Sequence, residues 1–128
     1  MKRVTGIGGI FFKATDPNKL IGWYHDHLGL QPEEYGPSVN FKWRDQEDPS
    51  KSGMTVLSIF EKDTKYFGPK NSGFMMNFRV DDLDSVLEAL ASEGVEIDPR
   101  REDYDYGRFA WIVDPEGNRI ELWQPLGE

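Results

Sequence analysis

Cysteine is absent from the 128 residues. That excludes disulfide frameworks, thiolate nucleophiles and thiolate metal sites. Histidine is scarce, with two residues in the chain. No run approaches the roughly 18 consecutive apolar residues that a membrane-spanning helix needs, so no membrane partner is expected. Positive charge is in the minority: 15 Lys and Arg against 23 Asp and Glu leave a formal net charge of −8. An acidic balance of this kind speaks against a nucleic-acid partner. The opening Met1-Lys2-Arg3-Val4-Thr5-Gly6 leads straight into a strand-like run without a signal-peptide core or cleavage site, so the cytoplasm is the expected compartment. What is present, 38% apolar and 30% charged residues, is the composition of a soluble globular domain. One domain over residues 1–128 is the expectation at this length.

The chain repeats one pattern. Gly8–Thr15 is an apolar run of strand length. Asp16-Pro17 then starts a helix, with a carboxylate at the N-cap and a ring fixed at helical φ. Leu20, Ile21, Tyr24, His27 and Leu28 recur at helical spacing, and Gly29 ends the helix. Later, Phe74–Val80 is a strand, Asp82 caps a helix with the stripe Leu83, Val86, Leu87, Leu90 and Ala91, and Gly94 ends it. Asp16 and Asp82 lie 66 residues apart, Gly29 and Gly94 lie 65 apart, which marks an internal repeat of about half the chain. Short strands follow each helix: Ser38–Arg44 and Thr55–Phe60 in the first half, then Val95–Ile97, Arg108–Val113 and Asn118–Trp123 in the second. Asp45–Gly53 reads as a solvated hairpin loop, and Asp114-Pro115-Glu116-Gly117 as a tight turn.

Three segments carry a resemblance. They are Trp23-Tyr24-His25-Asp26-His27-Leu28-Gly29-Leu30, Phe78-Arg79-Val80-Asp81-Asp82-Leu83 and Asp114–Trp123. In this order and spacing the chain, from about Ile7 to Pro125, resembles the vicinal oxygen chelate superfamily of glyoxalases, bleomycin-resistance proteins and extradiol dioxygenases. The resemblance implies an α+β fold of two βαβββ modules. Their strands would form one open, curled mixed sheet, a cup with the helices on its convex side. Module one would span about 4–62, a linker about 63–72 and module two about 73–125. Metal-using members place ligands at positions that fall here on Gly9, Ser58, Met75 and Glu121. Only Glu121 suits a hard divalent cation, because Met is a soft thioether and Gly has no side chain. The expectation is therefore a member without metal or other cofactor, the alternative being one divalent metal ion. The family also implies a homodimer.

Strand alternation selects pocket residues independently of the family. Ile10, Phe12 and Ala14, with Met76, Phe78, Val80, Leu57, Ile59, Ile120 and Leu122, are expected against the helices. The other face then offers Phe11, Lys13, Ser58, Phe60, Met75, Asn77, Arg79, Arg119, Glu121 and Trp123. Tyr106, Arg108 and Trp111 join them from Tyr104–Phe109 and the strand that follows. Apolar walls with a few orienting polar groups are what a small-molecule site requires. An ion pair of Glu121 with Arg79 or Arg119 is expected within it. Other motifs carry less. His25 and His27 lie about 200° apart on a helix and cannot clamp one ion. Asp103, Asp105 and Asp114 fail the calcium-loop pattern, since Gly107 stands at a ligand position and no Glu closes it. Gly6-Ile7-Gly8-Gly9 enters a strand and is no phosphate cradle.

Two functions follow. The first is a metal-free protein of the bleomycin-resistance type that binds a small organic ligand. The acidic charge and Trp43, Trp111 and Trp123 favour an aromatic or cationic one, Lys13 and Arg79 a carboxylate or phosphate. The alternative is a lyase or isomerase in which Glu121 is the general base or a metal ligand.

Overall fold

The computed structural model describes residues 3–127. The elements run β1 (Val4–Ala14), α1 (Pro17–Leu28), β2 (Ser38–Arg44), β3 (Ser52–Glu61), β4 (Phe74–Val80), α2 (Leu83–Ser92), β5 (Glu96–Tyr104), β6 (Gly107–Val113) and β7 (Arg119–Pro125). The fold is α+β, with seven strands in one open mixed sheet of order β2-β3-β1-β4-β7-β6-β5. Two compact units divide the chain: Gly9–Phe74, and the segment up to Gly8 together with everything from Met75 onward.

In the unit Gly9–Phe74, β2 runs antiparallel to β3, with Val39 opposite Leu57, and β1 runs parallel to β3 from Gly9–Val56 to Ala14–Glu61. Asp16 caps α1 by accepting from the Lys19 backbone N–H at 3.1 Å. Gly29 ends the helix at φ 72°, a left-handed conformation that costs a side-chain-bearing residue more than glycine. Ile21, Val39 and Ile59 form the core, with Phe12, Ala14, Leu20, Tyr24, Leu30 and Leu57 packed against it. Ile10 and Leu28, expected in that core, are instead exposed. Two strands follow α1 among the described residues, where the βαβββ pattern has three. The stretch that would supply the other contains Pro32 and Pro37, neither of which can donate to a ladder.

The other unit is built on β4 parallel to β7, β7 antiparallel to β6 and β6 antiparallel to β5. Asp82 caps α2, accepting from the backbone N–H and the hydroxyl of Ser85. The Gln124 side chain takes the Leu83 N–H at 2.9 Å. The core of Val80, Leu83, Val86, Ala110 and Leu122 is flanked by Phe78, Leu87, Leu90, Ile112 and Ile120. Ala91, expected in the α2 stripe, is exposed. The predicted turn at Asp114 forms, the Asp114 carboxylate accepting from the Glu116 and Asn118 backbone N–H groups. β5 extends well beyond the expected Val95–Ile97. Its register shifts between Ile97 and Arg101, a bulge that accommodates Pro99.

Candidate functional site

Alternation along β4, β6 and β7 sorts the second unit's side chains. Phe78, Val80, Ala110, Ile112, Ile120 and Leu122 pack with α2. The opposite face receives Met75, Asn77 and Arg79 from β4, Phe109 and Trp111 from β6, and Arg119, Glu121 and Trp123 from β7. Register places Asn77 opposite Glu121, Arg79 opposite Trp123 and Trp111 opposite Glu121.

Glu121 lies at the centre of this face and is 1% exposed. Asn77 Nδ2 donates to its Oε1 at 2.6 Å, and Trp111 Nε1 donates to its Oε2 at 3.0 Å. Burying a carboxylate is costly, and hydrogen bonds to each oxygen offset that cost. The Arg119 guanidinium carbon lies 5.0 Å from the Trp111 ring centroid, and that of Arg100 lies 6.0 Å away. Arg119 donates to Asp98 Oδ2 at 2.6 Å. The backbone N–H of Arg100, then the Arg119 guanidinium, hold the Asp98 carboxyl below its ordinary value. Asp98 reaches this position through the β5 bulge.

Beside the carboxylate lies an aromatic wall. The Arg79 guanidinium is 4.9 Å from the Trp123 ring, and Phe109 stacks on Trp123 at 6.1 Å with planes 4° apart. Phe109 meets Tyr104 and Tyr106 edge-on, and those two rings stack on each other at 5.2 Å. The Tyr104 hydroxyl donates to Glu102, which raises the phenol above its usual range. Arg108 belongs elsewhere: it lies 3.7 Å from Asp84 on α2 and does not join Trp111 and Glu121.

The remaining predicted residues lie in the unit Gly9–Phe74. Phe11 packs on Phe60 at 5.5 Å, and Phe60 meets Tyr66 and Phe67 at 5.4 and 5.0 Å. The Lys13 ammonium sits 5.4 Å from the Phe67 ring and donates to Asn71. Ser58 shares a 2.8 Å hydrogen bond with Ser38. Tyr66, Phe67 and Asn71 come from the stretch expected to be a linker, where adjacent aromatics were the available signal. Sequence reasoning also missed Gly8, Gly107 and Asp98. A Cβ on Gly8 would lie 2.1 Å from Asn77 Oδ1 and 2.9 Å from the Trp123 ring, and one on Gly107 would lie 2.7 Å from Trp123 Nε1. Alternation counted from Phe12 and Ala14 would put Gly8 on the helix-packed face instead.

The four family metal positions, taken one by one, do not make a divalent-ion donor set. Gly9 has no donor, the Ser58 hydroxyl is bonded to Ser38, Met75 is a buried thioether, and each Glu121 oxygen accepts an N–H. Among the described residues no three or more His, Asp or Glu side chains converge.

The family model of the Glyoxalase/Bleomycin resistance protein/Dioxygenase superfamily matches residues 6–122. The chain belongs to that superfamily. The chain is 31% identical to the uncharacterized protein YaeR of Escherichia coli over 121 residues, 87% of this chain and 89% of that one. It is 26% identical to the uncharacterized protein YraH of Bacillus subtilis, over 88% and 93% of the two chains. Solved structures share the fold. A methylmalonyl-CoA epimerase of Streptomyces coelicolor, in complex with 2-nitronate-propionyl-CoA, superposes with a TM-score of 0.68 at 18% identity, covering 97% of this chain and 99% of that one. The Mycobacterium tuberculosis methylmalonyl-CoA epimerase gives 0.60 at 22% identity, over 99% and 92%.

Proposed function

We propose that this superfamily member binds a small organic ligand, without a metal ion, against the face that carries Arg79, Trp123 and Phe109. The ligand has a flat apolar part and a carboxylate or acyl carbonyl. The observation that carries this reading is the guanidinium of Arg79 layered on Trp123 in the only-slightly exposed surroundings of Glu121. A cation held over an indole attracts an anionic or carbonyl oxygen, and the indole and phenyl rings supply stacking area. The four family metal positions, as they stand, favour a ligand held by the protein alone. The protein acts as a homodimer in the cytoplasm on this reading.

A second reading has Glu121 as the general base of an isomerase or lyase, and the epimerases with this fold favour it. The geometry weighs against it: each oxygen of this carboxylate already accepts an N–H, and at 1% exposure it is enclosed and offers a substrate no open approach. Titration of Trp fluorescence with benzoate, phenylacetate and a propionyl thioester tests both. Saturable quenching, weakened about tenfold or more by Arg79→Gln and without turnover, is the expected result. Turnover of the thioester that disappears in Glu121→Gln would replace the first reading with the second. Failure of all three to bind would overturn the ligand class.

A further inference from the structure

We infer that Gly8 is a positioning residue that aims Asn77 at the Glu121 carboxylate. The inference rests on the reading of this face as the ligand site only for its functional meaning; its geometry stands on the second unit alone. Asn77 is 1% exposed, and its amide has two ends with different needs. Nδ2 donates to Glu121 Oε1 at 2.6 Å. Oδ1 is buried and has no conventional donor among the described residues. It lies instead along the direction in which a Gly8 side chain would project, 2.1 Å from where a Cβ would stand. The atom that fills that direction is a Cα hydrogen, so Oδ1 rests on a Cα–H group, a weak but favourable contact.

This arrangement fixes the amide. Turning it over would set Oδ1 against a carboxylate oxygen, acceptor to acceptor, and would put Nδ2, a donor, against the Gly8 Cα–H, which offers no acceptor. A methyl at position 8 removes the room for Oδ1. The side chain that must yield is short and enclosed, and the Trp123 ring at 2.9 Å and Arg79 Cγ at 3.0 Å crowd the same position. Asn77 then withdraws, Nδ2 leaves Glu121, and the carboxylate shifts against the Trp111 N–H that it accepts. The demand on residue 8 is for space, since Gly8 is not among the residues at positive φ.

The Trp111 indole N–H reports on the carboxylate without any ligand. The chain has four Trp, so four indole signals appear in a proton–nitrogen correlation spectrum, and loss of one in Trp111→Phe assigns it. In Glu121→Gln the Trp111 signal moves upfield, because an acceptor amide replaces an anion. Gly8→Ala is expected to move the Trp111 signal as well, Asn77→Ala to move it in the same way, and the double variant to add nothing to Asn77→Ala alone. A folded Gly8→Ala with the Trp111 signal unmoved overturns the inference. Should Gly8→Ala fail to fold, the double variant decides. Recovery of folding on adding Asn77→Ala supports the inference, and no recovery, with Asn77→Ala itself folded, overturns it. Because no ligand enters the experiment, its outcome is separate from that of the ligand titration.

Discussion

Asp98 sits at the far end of a run of contacts that passes through Arg119 and the Trp111 ring to Glu121. Its carboxyl is held below its ordinary value by the Arg100 backbone N–H and by Arg119. A carboxyl whose folded value is lower than its unfolded value contributes fully above the unfolded one, and loses that contribution as pH falls through the folded one. Asp98→Asn is therefore expected to destabilise the protein by about 1–3 kcal/mol at pH 7. The difference should shrink as the pH falls below the unfolded carboxyl value of 3.8, and urea unfolding of both proteins at pH 7 and pH 3 measures it. A constant difference across that range would detach Asp98 from the charge argument. At this scale much was legible. Alternation assigns Asn77, Arg79, Glu121 and Trp123 to one face because Phe78, Val80, Ile120 and Leu122 have to reach α2. Asp98 was not legible, because its contact depends on a bulge that strand periodicity does not announce. Gly8 and Gly107 were not either: a glycine needed for close approach shows its reason only when the neighbour across the sheet is known.

The helices were the most legible elements. Asp16 and Asp82 cap them as expected, and Gly29 ends α1 in the left-handed conformation. Leu83, at the start of α2, is fully buried in the core of the second unit. Leu83→Ala is expected to cost about 2–5 kcal/mol, the range for deleting a buried leucine side chain, and Gly29→Ala about 1 kcal/mol for a side chain at positive φ. Chemical unfolding of the two variants checks the ranking, and an equal or reversed order would contradict it. Strands were less evenly legible. β2 and β4 run over the residues expected from their apolar pattern, since both are bounded by turn residues. β5 runs past the expected Val95–Ile97; Pro99 and the charged run Arg100–Asp103 carry no apolar alternation that would mark a strand. The edge position of β5 in the sheet explains both: an edge strand tolerates proline at a bulge and carries charge toward solvent. The expected linker hides Tyr66 and Phe67, whose rings pack on Phe60.

For the whole molecule, repeat spacing and three short segments were enough to indicate the superfamily that the match over residues 6–122 then showed. The fold follows from that membership, and the chemistry does not, since one scaffold serves many reactions. What separates this chain from the metal-using pattern is a small set of side chains: Gly9, Ser58 and Met75 at three ligand positions, and a Glu121 whose oxygens already serve Asn77 and Trp111. The central claim is thus that the protein holds its ligand without a metal ion. Thermal unfolding of the metal-depleted protein, with nickel, zinc, manganese or iron(II) added back, tests it most directly, because an ion that binds the folded state alone raises the melting temperature. The account predicts no shift and no stoichiometric uptake for any of the four. One ion bound per chain with a higher melting temperature would contradict it.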